Sequence, residues 1–144
     1  MRPKDYLLQA QKARAAARDL GERIEELRTA AAGIKAITYD KDKVQVSPRD
    51  YMPDVIAELI ELEEEYARRI IRYNMVVLDI EERISRLNDS RYVDILRYRY
   101  LSGMTWEQIA TEKCYSFRHV IRLHGAALQE FARQNKDVLL CHTL

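Results

Sequence analysis

Tyr92 to Phe131 reads YVDILRYRYLSGMTWEQIATEKCYSFRHVIRLHGAALQEF, and its punctuation sets the architecture. Ser102-Gly103-Met104 breaks the helix that starts near Tyr92, and Gly103 suits the left-handed position that follows a helix end. Thr105 and Gln108 have the spacing of a capping box, in which each side chain bonds the other residue's backbone N–H. A short helix runs from Trp106 to about Lys113, with Trp106, Ile109 and Ala110 as its apolar side. Cys114-Tyr115 make a second turn, and Ser116 is a natural N-cap for a third helix. There Val120, Leu123, Ala127 and Leu128 recur at helical spacing and should face inward, with Phe131 extending that side. Gly125, inside this helix, should cost roughly 1 kcal/mol against Ala, and close backbone packing is the expected reason for it. Two short helices joined by tight turns after a leading helix make a helix-turn-helix, a device for placing one helix in the DNA major groove.

The polar side of the third helix carries the chemistry. Arginine can bond a guanine edge at two points, and a helix N-terminus favours nearby phosphate. Phe117, Arg118, His119 and Arg122 are therefore the candidate base readers on the helix 116–131. Arg97, Arg99, Thr105, Lys113 and Ser116 are the candidate phosphate contacts. Lys113 to Arg122 holds three cations and no acid, a local positive patch on a chain of net charge +1. The plain alternative is a small helical subdomain with a solvated polar face.

Tyr92–Phe131 resembles region 4 of bacterial sigma factors. More closely, it resembles the sigma-like C-terminal domain of phage late-gene transcription regulators of the RinA/ArpU type. Leu96-Arg97-Tyr98-Arg99-Tyr100 and Gly103-Met104-Thr105-Trp106-Glu107-Gln108-Ile109-Ala110 carry the resemblance, followed by Ser116, Val120, Arg122, His124, Ala127 and Leu128. About forty residues are covered. The resemblance implies a phage or prophage regulator that acts on late genes by binding double-stranded DNA. Primary sigma factors usually carry an Arg-Glu pair where this chain has Phe117 and Arg118, and often Gln where Arg122 stands. Recognition of an ordinary promoter −35 element is therefore not expected.

The rest of the chain reads as two long helices. In the first, Tyr6, Ala10, Ala13, Ala17, Leu20, Ile24, Leu27, Ala31 and Ile34 alternate spacings of four and three, a heptad seam. Gly21 is a mild weak point in it. The second helix should begin near Asp50 to Asp54. Its seam is Val55, Leu59, Leu62, Tyr66, Ile70, Tyr73, Val77, Ile80, Ile84 and Leu87. Ile56, Ile60, Ile71 and Leu78 broaden that stripe, which suggests contact with more than one neighbour. Between the helices, Ile37 to Met52 is polar and broken by Ser47-Pro48, with Val44 and Val46 as a short extended stretch. Asp89 or Ser90 caps the helix that starts near Tyr92. The C-terminal tail, Asn135 to Leu144, ends in Val138, Leu139, Leu140 and Leu144, an apolar run that needs cover.

The expected fold is all-α: a long antiparallel, coiled-coil-like helical hairpin over 1–88, a sigma-like helix-turn-helix over 89–134 and an apolar tail over 135–144. Sparse glycine and proline agree with helix. No run of some 18 apolar residues and no secretory signal is present, so a cytoplasmic location in a bacterial host, away from membrane, is expected. Cys114 and Cys141 are too few for a disulfide framework, and no metal-ligand spacing links them to the histidines, which are expected to face solvent or DNA. Neither a metal nor a cofactor is expected. With no nucleophile elbow and no phosphate-binding glycine loop, no catalytic residue and no enzymatic activity is expected. The hairpin suggests a homodimer, and its Glu61, Glu63, Glu64 and Glu65 run is a candidate contact for a basic surface of RNA polymerase. A small DNA-packaging (terminase) subunit and a helical scaffold without DNA binding are the competing readings.

Overall fold

The computed structural model describes residues 1–38 and 52–141, which are all-helical, with no strand among them. The helices are α1 (Pro3–Leu7), α2 (Gln9–Thr38), α3 (Met52–Ser85), α4 (Ser90–Leu96), α5 (Trp106–Lys113), α6 (Phe117–Gln134) and α7 (Lys136–Cys141). A π-helical turn, Arg97–Leu101, continues α4. The extended stretch expected at Val44 and Val46 lies outside the described residues, as do His142 and Leu144. No described helix is long and apolar enough to cross a membrane.

The chain divides into two compact units, Met1–Ala13 with Tyr73–Leu144, and Arg14–Arg72. This differs from the expected boundary at 88/89. The reason is burial: Tyr6, Leu7 and Ala10 from the N-terminus and Ile80, Ile84 and Leu87 share one core with Val93, Leu96, Tyr100, Ala127, Phe131 and Leu139. Polar ties brace the same unit. The Tyr6 hydroxyl donates to Asp79, and Arg83 reaches Asp79 at 3.1 Å and the Asn135 side-chain oxygen at 3.2 Å. The C-terminal tail finds its cover here. Leu139 is buried in this core and Val138 packs against it, whereas Leu140 stays exposed.

In the unit Arg14–Arg72, α2 and α3 run in opposite directions. Arg28 pairs with Glu63 at 2.5 Å, Gly21 faces Tyr66, and the Arg69 guanidinium donates to the Ala16 carbonyl at 3.1 Å. Gly21 has a packing reason, since a Cβ there would lie 3.2 Å from the Tyr66 ring. Ala17, Leu20, Ile24 and Val55 are its buried residues among those described. The expected broadening of the α3 seam does not become burial: Ile56, Ile60 and Ile71 are all more than half exposed.

Candidate nucleic-acid interface

The three helices α4, α5 and α6 are set by local hydrogen bonds. Asp89 caps α4 by accepting from the Arg91 N–H at 2.9 Å. Within the π-helical turn the Ser102 N–H reaches the Arg97 carbonyl at 3.0 Å, five residues back. Gly103 then takes φ +70°, a left-handed conformation that glycine adopts without a Cβ penalty. The Thr105 hydroxyl accepts from the Gln108 N–H at 3.2 Å, and the Gln108 side chain accepts from the Thr105 N–H at 2.8 Å. These two bonds satisfy N–H groups that a helix start otherwise leaves without partners. Cys114 ends α5 in the left-handed region at φ 54°, a position where non-glycine residues are uncommon. Ser116 caps α6 by accepting from the His119 N–H at 3.2 Å.

A second core fixes α6 against its neighbours. Ile95, Ile109, Val120 and Leu123 are buried together, with Tyr92, Tyr98, Met104, Trp106, Ala110 and Tyr115 packed around them. The inward side of α6 thus follows the sequence spacing: Val120, Leu123, Ala127 and Phe131 are buried. His124 corrects the expectation of a solvent- or DNA-facing histidine. It is buried, its Nε2 lies 2.8 Å from the Tyr100 hydroxyl, and the Trp106 ring meets it edge-on with centroids 4.6 Å apart. Burial pushes its pKa down to about 4, aided by the positive charges of Lys4 and Arg99, and burial pushes the Tyr100 hydroxyl up to about 12. Both groups are therefore neutral near pH 7, and the hydrogen bond between them pairs two buried polar groups without burying a charge. Gly125 is a second correction. Nothing lies within 4 Å of where its Cβ would stand, so close packing inside the chain does not account for it.

The candidate base readers share the exposed start of α6. Phe117 is 50% exposed, and Arg118 is exposed with no hydrogen bond or ion pair to any described residue. Arg122 approaches the His119 Nδ1 at 3.0 Å, while the His119 ring meets Tyr115 edge-on. Ile121, which sequence spacing alone did not single out, joins this surface beside Phe117. No acidic residue stands in the first turn of α6.

The candidate phosphate contacts are placed differently. Arg97 pairs with Glu81. Arg99 lies over the Trp106 ring at 4.2 Å and donates to the Met104 carbonyl at 3.0 Å. Lys113 pairs with Asp94, a contact that raises its pKa. Thr105 and Ser116 serve as helix caps. The basic residues among the five are thus engaged within the fold, and the open cations at the start of α6 are Arg118 and Arg122. Among the described residues no cluster of His, Cys, Asp and Glu has the arrangement of a metal site, and both Cys114 and Cys141 are exposed free thiols.

No family model, curated protein or solved structure matches this chain.

Proposed function

We propose that this chain is a double-stranded-DNA-binding transcription regulator, built as a helical hairpin of α2 and α3 followed by a sigma region 4-like helix-turn-helix of α4, α5 and α6. The observation that carries this reading is the exposed start of α6. It presents Phe117, Arg118 and Arg122 on a helix whose opposite side is locked into a core, and it holds no acid. Arg118 and Arg122 supply guanine contacts, Phe117 and Ile121 supply apolar contact with thymine methyl groups, and His119 steadies Arg122. The resemblance of Tyr92–Phe131 to RinA/ArpU-type proteins makes a phage or prophage late-gene regulator the specific form of the proposal, with RNA polymerase as a candidate partner.

A second reading is favoured by the same surface. Arg97, Arg99 and Lys113 are engaged internally, and Phe117 and Ile121 are apolar, which also suits a protein partner and a scaffold role without DNA. Fluorescence-anisotropy titration of duplex fragments from the source genome, at several salt concentrations, separates the two. Arg118→Ala with Arg122→Ala is expected to weaken binding of the selected fragment about tenfold or more, since each bidentate base contact contributes roughly 1–3 kcal/mol. An affinity and a salt dependence unchanged in the double variant would sink the groove-reading proposal.

A further inference from the structure

The strongest unexplained surface lies on α3. Ile56, Ile60, Ala67 and Ile71 are exposed, the three isoleucines by more than half. Their spacings of four, seven and four form an 11-residue repeat, about three helical turns, so the stripe runs nearly straight along the helix. At about 100° per residue the four positions fall within a sector of roughly 60°. Buried Val55, on the side that faces α2, lies more than 100° away from the centre of that sector by the same geometry. Ile70 of the seam lies about 40° from Ile56 by the same geometry, so the stripe continues the seam into a broader apolar face whose far side stays open.

Its charges say what covers it. Glu64 and Arg68 fall on one flank of the stripe, and Glu61 and Arg72 stand further round the same side, with the acids N-terminal to the arginines. Glu61, Glu64 and Arg72 make no ion pair with any described residue, and Arg68 meets only Glu65 of its own helix, at 3.0 Å. When two helices pack antiparallel, the same flank of each meets; when they pack parallel, opposite flanks meet. A flank that is acidic at one end and basic at the other is thus complementary to its own copy in the antiparallel sense alone. A two-fold axis near Tyr66 places Glu61 and Glu64 of one chain opposite Arg72 and Arg68 of the other, and Ile60 opposite Ile71. Flanking charges of this kind set partner and orientation in paired helices, and a self-complementary patch is what a two-fold dimer requires.

We propose that the exposed α3 face is an antiparallel homodimer interface, with the Ile56, Ile60, Ala67 and Ile71 stripe at its centre and the Glu61, Glu64, Arg68 and Arg72 flank setting its direction. The proposal does not depend on DNA binding. The stripe is narrow against a standard interface of about 1,600 Å², so a weak, concentration-dependent dimer is expected.

Sedimentation equilibrium of the full chain tests it. The apparent mass should rise with concentration from 17.0 kDa toward twice that value. Ile60→Asp with Ile71→Asp should hold the chain at the monomer mass with its helix content unchanged by circular dichroism. Glu61→Arg with Glu64→Arg should weaken the dimer about tenfold or more, and adding Arg68→Glu with Arg72→Glu should restore it, with helix content by circular dichroism unchanged in both variants. Orientation is read by oxidation in a Cys114→Ser, Cys141→Ser background. Ala67→Cys, near the axis, should cross-link between copies, whereas Ile56→Cys should not, because disulfide formation needs Cα atoms within about 7 Å. A chain that stays monomeric at every concentration, a failed rescue, or equal cross-linking at both positions overturns the proposal.

Discussion

The unit of Met1–Ala13 with Tyr73–Leu144 and the unit Arg14–Arg72 are both helical, but they bury their apolar residues differently. Among the described residues, every large side chain with less than 2% exposure, Tyr100, Phe131 and Ile84 among them, lies in the first. There, helices from both ends of the chain close around a shared interior. In the second, α2 and α3 bury one line of residues, including Ala17, Leu20, Ile24 and Val55, and the cross-helix ion pairs Arg28–Glu63 and Arg23–Glu58 are exposed. Such exposed pairs contribute about 0–1 kcal/mol each. Two helices have one mutual contact line, so a helix whose apolar face is broader than that line, as that of α3 is, keeps part of it exposed. The first unit therefore carries its own core, while the second leaves on α3 the open apolar residues that the proposed dimer would cover.

Core truncations should separate the two units most clearly. Phe131→Ala should cost about 3–5 kcal/mol and Leu20→Ala about 2 kcal/mol, because the first leaves a cavity among fully buried neighbours and the second a gap along a one-sided seam. Trp106, the single tryptophan, reports on the first unit, whereas far-ultraviolet circular dichroism reports on both. Urea unfolding of Phe131→Ala should therefore shift the fluorescence midpoint strongly. Leu20→Ala should move the circular dichroism curve more than the fluorescence curve. Equal shifts of both signals in both variants would mean that the units unfold as one.

Acid should probe the first unit selectively. His124 has a folded pKa near 4 and an unfolded value near 6.5, so the unfolded chain binds more protons between these limits. Stability must then be full above about pH 6.5 and fall as pH drops toward 4, by up to about 3 kcal/mol. The lowered carboxylates, such as Glu130 held by Arg133, act in a more acidic range, because their stabilisation is present above the unfolded carboxylate pKa and lost below it. Urea midpoints read by Trp106 at pH 7 and pH 4.5 measure the slope. In His124→Phe the part of the slope between pH 6.5 and 4.5 should disappear; a slope that persists would assign the pH dependence to other groups.

Gly125→Ala is the smallest and most discriminating change. Open space around the Cβ position means that alanine should stabilise α6 by about 0.5–1 kcal/mol. By helical spacing Gly125 shares the exposed side of α6 with Arg118 and Arg122, so a ligand backbone that approaches this side closely would meet the added methyl. A more stable variant with weaker duplex binding would strengthen the groove-reading proposal, and a more stable variant with unchanged binding would place the contact nearer the N-terminus of α6.

Local features were legible because their bonds span three to five residues. The Thr105–Gln108 capping box, the Gly103 helix end, the Ser116 cap and the inward Val120, Leu123, Ala127 and Phe131 are each written in nearby side chains. The candidate site was legible only in part. Arg118 and Arg122 stand exposed as their spacing implies, but the engagement of Arg97 by Glu81 and of Lys113 by Asp94 joins residues 16 to 19 positions apart, and no local rule pairs them. The burial of His124 beside Tyr100 likewise joins residues 24 positions apart.

Helicity, the starts of α5 and α6, and the side of α6 that turns inward are properties of the amino-acid sequence alone, because helix periodicity and capping are contacts between near neighbours along the chain. Other outcomes were settled only in three dimensions: which cations remain open, the sealing of His124 beneath Trp106 and Tyr100, the closure by Leu139 of a core begun by Tyr6 and Leu7, and the uncovered state of Ile56, Ile60 and Ile71. Those outcomes depend on which surfaces meet across the fold, and an apolar or charged side chain carries the same local pattern whether or not a distant partner reaches it.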